Sequence, residues 1–172
     1  MVTPSVPAPI IVSAIFAAAD LAWLDGLRRA HFPPERNVIP AHLTLFHHLP
    51  PSIEGELRAC LARATRGIPA PVARIAGLMN LGRGTAFRIE SPALEDIRAD
   101  LAARFSTLLT PQDQAGWRPH VTIQNKVTPE DARALQRDLQ AGFTPRPLAI
   151  RGLAAWYYRG GPWEALSRHA FG

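Results

Sequence analysis

Apolar positions in this chain fall in short runs and short alternations, cut by proline and glycine, with helical spacing between them. Residues 10–16 (Ile-Ile-Val-Ser-Ala-Ile-Phe) form an apolar run of strand length. Residues 1–9 hold three prolines and read as an extended or disordered lead-in. Residues 20–31 place Leu21, Leu24, Leu27 and Arg28 at helical intervals, and Pro33-Pro34 stop that helix. A strand is expected over 41–48, ending at Pro50-Pro51, then a helix from Ser52 to about residue 66 with Leu57 and Leu61 on one face. Residues 72–81 read as a strand closed by the turn Gly82-Arg83-Gly84.

The second half repeats this order. Residues 85–90 read as a strand, and Ser91-Pro92 opens a helix to about residue 108 with Leu94, Ile97, Leu101 and Phe105 as its stripe. A strand follows over 119–127. Thr128-Pro129-Glu130-Asp131 combines a capping hydroxyl, a first-turn proline and acids suited to the helix dipole. That helix ends near Gly142, and 148–158 with 163–171 form a hairpin around Gly160-Gly161-Pro162. Each half is thus strand, helix, strand, helix, strand. The expected fold is α+β: one domain over 1–172, built as two pseudo-repeats at about 10–82 and 84–172. Two lobes of mainly antiparallel sheet, related by a pseudo-two-fold, would line a central cleft with helices outside.

Composition narrows the classes. The chain has 172 residues, 47% of them hydrophobic, which suits a single globular unit. The net charge is +5, and Lys126 is the only lysine, so the basic character is arginine. Arginine's planar fork matches phosphate oxygens, which favours an anionic partner such as RNA. Cys60 is the only cysteine and excludes an intramolecular disulfide, in keeping with a reducing, cytoplasmic setting. The 10–16 run is too short to span a membrane and lacks a basic flank, so neither a membrane segment nor a signal peptide is expected.

The chemistry lies in two similar strings, His42-Leu43-Thr44-Leu45 and His120-Val121-Thr122-Ile123, 78 residues apart. In a strand, alternate side chains share a face. Each string therefore turns two apolar residues toward a core and presents an imidazole with a hydroxyl on the other side. Facing each other, the strings would supply two proton-transfer groups and two phosphate-oxygen donors. By the same alternation Phe46 and His48 extend the His42 face, while Gln124 and Lys126 extend the His120 face. Phe46 is then a candidate base-stacking residue, Lys126 a candidate phosphate contact, and Arg118 a candidate substrate contact two residues before His120. His47 and His48 point to opposite sides of a regular strand, and no Cys or carboxylate spacing completes a metal set, so no metal and no cofactor are expected. The chain has no glycine-rich phosphate loop and no G-x-S-x-G string, which argues against ATP-dependent ligation.

The stretches "PAHLTLFHHLP" and "RPHVTIQNKV" resemble the paired H-x-[T/S]-x motifs of the 2H phosphoesterase superfamily, and within it the bacterial 2′-5′ RNA ligase-like proteins, also called RNA 2′,3′-cyclic phosphodiesterases. The resemblance implies the same bilobal fold, with His42 and His120 catalytic and Thr44 and Thr122 on the phosphate. The Arg-Pro-His string recurs in that family and lends Arg118 a substrate role. The implied activity is metal-independent opening of 2′,3′-cyclic phosphate ends to 2′-phosphates, reversible toward 2′-5′ ligation. The implied partner is RNA or a nucleotide carrying such an end, with no obligate protein partner. Two alternatives stay open: a non-catalytic nucleotide- or RNA-binding module, and a 2H enzyme acting on another phosphoester such as a 2′-5′ oligoadenylate. The motifs leave open which histidine is base and which is acid.

Overall fold

The computed structural model describes residues 7–172, so residues 1–6 of the proline-rich lead-in lie outside the described residues. In chain order the strands are β1 (Ile10–Phe16), β2 (Leu43–Leu49), β3 (Val72–Asn80), β4 (Thr85–Glu90), β5 (His120–Gln124), β6 (Arg146–Tyr157) and β7 (Glu164–Ala170). The helices are α1 (Ala18–His31), α2 (Glu54–Thr65), α3 (Pro92–Arg104), α4 (Pro111–Gln114) and α5 (Pro129–Ala141). Every strand pairing is antiparallel, in the order β2-β1-β6-β3-β4-β5 with β7 on β6. Exchanging β1 with β4, β2 with β5 and β6 with β3 maps that order onto itself.

β6 is the shared member. Its first residues pair with β3, from Val72 opposite Ala149 to Ile75 opposite Arg146. The remainder pairs with β1, from Phe16 opposite Ile150 to Ile10 opposite Tyr157, and with β7. Twelve residues is long for a strand, and that length lets one backbone serve both halves. Strand alternation buries Ile10, Val12, Leu43, Leu45, Ile75, Ile89, Val121, Ile123 and Leu153 almost completely in one continuous core. Each such side chain contributes roughly 1.5–3 kcal/mol relative to exposure.

Two helices cross between the halves. α1 belongs to the first half by sequence but packs on β5 of the second. There Trp23 stacks on Phe87 at 5.4 Å, and the Arg146 guanidinium lies 3.9 Å over the Trp23 ring. α3 belongs to the second half and reaches back to β2 through Arg98. The expected caps form: Ser91 Oγ accepts from Leu94 N, and Thr128 Oγ1 accepts from Asp131 N.

Three sequence expectations need correction. The helix expected to run to residue 108 ends at Arg104; a 3₁₀ turn (Ser106–Leu108) and α4 follow. The expected strand over 119–127 stops at Gln124, because Lys126 adopts φ 64°, a left-handed turn conformation. β2 loses its alternation after Leu45. Ile10 pairs with Leu49 but Val12 with Phe46, so His47 and His48 both lie opposite the single residue Ile11. This β-bulge buries Phe46 beside Leu45 and turns both histidines outward.

Candidate active site

β2 and β5, the two ends of the strand path, approach each other. Between them lies a cleft of about 290 Å³ lined by His42, Thr44, His120 and Thr122, with His47, Arg98, Trp117, Arg118 and Trp163 around it. The four motif side chains are half-buried, while Leu43, Leu45, Val121 and Ile123 are fully buried beneath them. Period-two alternation thus delivers the imidazoles and hydroxyls to one space.

The histidines are held alike. His42 Nδ1 lies 2.9 Å from Pro40 O, and His120 Nδ1 lies 2.7 Å from Arg118 O. A carbonyl oxygen only accepts, so each Nδ1 carries the hydrogen and donates it. The neutral rings therefore keep the basic lone pair on Nε2. Carbonyls two residues upstream fix both tautomers identically, a use of local backbone that a proline at 40 and another at 119 accompanies. The His42 ring also packs against the Trp163 ring at 4.6 Å. Burial pushes the His42 pKa down to about 4; the Pro40 carbonyl opposes this, while Arg28, His120 and His47 add to it. The resting His42 ring is neutral at pH 7.

Buried arginines anchor the motif strands from behind. Arg28 of α1 donates from Nη1 to Thr122 O at 2.9 Å and from Nε to Asn37 Oδ1 at 3.0 Å. Arg98 of α3 donates from Nε to Leu45 O at 3.1 Å and from Nη2 to Asp113 O at 2.7 Å. The Arg98 guanidinium also lies over the Phe46 ring at 4.6 Å. Desolvation lowers both arginine pKa values, partly offset by Asp25 for Arg28 and by Asp113 for Arg98. Trp117 Nε1 donates to Thr44 O at 3.0 Å, tying the segment before β5 to the first motif strand.

Asp113 closes the bulge. Its carboxylate is 1% exposed and accepts from the backbone N–H groups of His47 (2.9 and 3.0 Å) and His48 (3.0 Å), and from the His47 ring Nδ1 at 3.1 Å. Burial raises the Asp113 pKa, but these hydrogen bonds from His47 and His48 outweigh it, and the net direction is downward. The bulge brings His47 rather than His48 to the cleft.

The other candidate residues separate. Arg118 is exposed at the cleft wall. Phe46 is fully buried under Arg98, and so is not available to stack on a base. Lys126 sits in the turn after β5 and is not among the cleft residues. Gln124 is buried and accepts from Thr85 Oγ1 at 2.9 Å. Sequence reasoning missed Arg98, Asp113, Trp117 and Trp163, and weighed His47 only as a metal ligand. Of the missed residues only Arg98 left a signal: an arginine between Leu94 and Leu101 on the apolar stripe of α3. Among the described residues, no three His, Cys, Asp or Glu side chains cluster as a metal set, and no helix is long and apolar enough to cross a membrane.

Comparison with known proteins gives this geometry a family. The chain is similar to Escherichia coli LigT in complex with 3′-AMP, at TM-score 0.61 and 19% identity over 96% of this chain and 99% of that one. LigT in complex with NADP⁺ gives TM-score 0.62 at 18% identity, covering 96% of this chain and 99% of that one. The TT0787 protein of Thermus thermophilus gives 0.65 at 15% identity, covering 95% of this chain and 97% of that one. At these identities the likeness shows the fold. No curated protein matches. The family model described as the 2′-5′ RNA ligase superfamily matches residues 16–162, which include both motif strands, and the chain belongs to that superfamily of 2H phosphoesterases.

Proposed function

We propose that this protein is a metal-independent RNA 2′,3′-cyclic phosphodiesterase that leaves 2′-phosphates and that, with a 5′-hydroxyl in place of water, gives reversible 2′-5′ RNA ligation. The observation that carries the reading is the pair of histidines, each tethered through Nδ1 to the carbonyl two residues upstream, around one cleft with two threonine hydroxyls.

The neutral His42 ring suits the base role in hydrolysis. Its Nε2 takes a proton from water as the water oxygen bonds to phosphorus. The bond from phosphorus to the ribose 3′-oxygen breaks, and His120 gives its Nε2 proton to that oxygen. Thr44 and Thr122 donate to the non-bridging oxygens, which gain charge in the transition state, and Arg118 at the wall adds a planar cation. Ligation runs the same steps in the same direction with a 5′-hydroxyl in place of water: the 5′-oxygen bonds to phosphorus, the bond to the 3′-oxygen breaks, and a 2′-5′ linkage remains, which the reverse attack of the 3′-hydroxyl reopens. The lone, buried Cys60 supports a reducing, cytoplasmic setting for such RNA processing.

The test is product analysis on adenosine 2′,3′-cyclic phosphate and a cyclic-ended RNA oligomer, with and without EDTA. The expected product is the 2′-phosphate, formed at the same rate in chelator. His42→Ala and His120→Ala should each slow turnover on the order of 10²- to 10⁴-fold. Binding without turnover would favour the non-catalytic module. Turnover of 2′-5′ oligoadenylate alone would favour the other phosphoester reading, and a 3′-phosphate product would reverse the places of water and leaving oxygen.

A further inference from the structure

The cleft holds a third imidazole that the steps above do not use. The β-bulge in β2 gives His47 the place on the cleft face that regular alternation would give Phe46, so that face reads His42, Thr44, His47. The step from Thr44 to that place is roughly 7 Å along the strand. The His47 ring is 40% exposed, and its Nδ1 lies 3.1 Å from Oδ1 of Asp113, whose carboxylate is 1% exposed. Asp113 is held ionised and only accepts, so Nδ1 carries the hydrogen and donates it. Nε2 is then the nitrogen left for the cleft, and among the described residues nothing bonds to it. His42 and His120 rest on carbonyls, whereas His47 rests on a carboxylate. A carboxylate behind an imidazole fixes its orientation and stabilises the imidazolium.

We propose that His47, as an imidazolium paired with Asp113, donates from Nε2 to the non-bridging phosphate oxygen that Thr44 also meets, and is thereby a third phosphate ligand of the reaction. The inference rests on the phosphodiesterase reading for what fills the cleft. His47 and Thr44 project from one face of one strand, which puts both on the same side of a phosphate held between β2 and β5. Thr122, on the facing strand, meets the other non-bridging oxygen. The two oxygens are then held unequally, by Thr44 and His47 on one side and by Thr122 on the other. A charge-assisted hydrogen bond is roughly twice as strong as a neutral one. This one strengthens as the non-bridging oxygens gain charge in the transition state. His47 moves no proton, since His42 takes the proton of water and His120 supplies that of the leaving oxygen. Asp113 touches no substrate; it is a positioning residue that aims the ring and holds the bulge. A regular strand would present Phe46 at that place, a ring with no donor to offer.

The experiment measures kcat and KM on adenosine 2′,3′-cyclic phosphate and on the two diastereomers of its cyclic phosphorothioate, each with sulfur in place of one non-bridging oxygen. His47→Phe keeps a ring and removes the donor, and His47→Ala repeats the test without the ring. Both leave the backbone N–H groups that Asp113 accepts. His48→Gln, exposed and outside the cleft, is the control. Either His47 variant is expected to lose about ten- to hundredfold on the oxygen substrate, the scale of a hydrogen bond to a charged group. The loss falls chiefly on kcat, because the bond strengthens in the transition state. His48→Gln should lose nothing. Sulfur accepts hydrogen bonds weakly, so the loss should shrink severalfold on one diastereomer and stay full on the other. Thr44→Val should single out the same diastereomer as the His47 variants, and Thr122→Val the other. A loss under about twofold, an equal loss on all three substrates, or agreement with Thr122 in place of Thr44 overturns the proposal. If the wild type turns over none of the three, the phosphodiesterase reading fails, and NMR of the histidine rings during titration with inorganic phosphate decides the contact. A saturable shift of the His47 Nε2 resonance supports it; no shift overturns it.

Discussion

Asp113→Asn keeps the shape of a buried side chain while removing its charge and one acceptor. The carboxylate receives the His47 and His48 backbone N–H groups and the His47 ring. An amide has one oxygen, so it can serve one backbone N–H while its NH₂ faces another donor. A buried N–H left unpaired costs about 1–3 kcal/mol, and the surviving bond weakens by about 1 kcal/mol when its acceptor becomes neutral. The His47 ring is 40% exposed and adds little. The sum is about 2–4 kcal/mol at pH 7, which for a chain of this size is a drop in Tm of roughly 5–15 °C. Urea unfolding measures it. The sign with pH also follows. A carboxyl whose folded pKa lies below its ordinary value stabilises above that ordinary value, near 3.8, and loses the contribution as pH falls through the folded one. The deficit of the variant should therefore be full at pH 6–7 and shrink below about pH 4. A deficit under about 0.5 kcal/mol at pH 7, or one independent of pH down to pH 3, would refute the role assigned to this carboxylate.

Thr44→Val and Thr122→Val keep β-branching and should fold normally while losing roughly 1–3 kcal/mol of transition-state stabilisation, read as kcat/KM; Thr→Ser should retain most of it. The His42 imidazole should stay neutral by NMR titration down to about pH 4. The unfolded chain takes up that proton near 6.5, so His42 contributes full stability above about pH 6.5 and loses it as pH falls toward 4; a midpoint for His42 above 6.5 in the free protein would contradict its placement. Gly84→Ala should destabilise by about 1–3 kcal/mol, because a Cβ there collides with the Gln124 backbone carbonyl; wild-type stability in a denaturant melt would show that the turn yields.

The histidine-threonine pairs were legible because strand alternation is local: His42 and Thr44, and likewise His120 and Thr122, needed only a period of two. The helix caps at Ser91 and Thr128 were legible for the same reason. Phe46 and Lys126 were misplaced where the period broke. The β2 bulge depends on a carboxylate 65 residues away, and the turn at Lys126 on a single left-handed residue. Neither leaves a mark on the hydrophobic pattern. Asp113 and Trp117 belong to a polar stretch whose role appears only once α3 and α4 deliver it to β2. The repeat boundaries at 10–82 and 84–172 are a proposal that the self-mapping strand order supports.

The two outermost strands, β2 and β5, have a consequence beyond chemistry. A sheet that ends in open strands carries unpaired backbone groups, and such rims invite another chain to add on. Here the rims are turned toward each other, and side chains occupy their backbone groups: Trp117 and Arg98 on the Thr44 and Leu45 carbonyls, Asp113 on the His47 and His48 amides, Arg28 on the Thr122 carbonyl. The residues that frame the cleft therefore also guard these two rims against self-association. A variant that vacates one of them, Trp117→Ala for example, is exposed to two separate failures, slower turnover and edge-on aggregation, and the protein has little freedom to evolve one property without trading against the other.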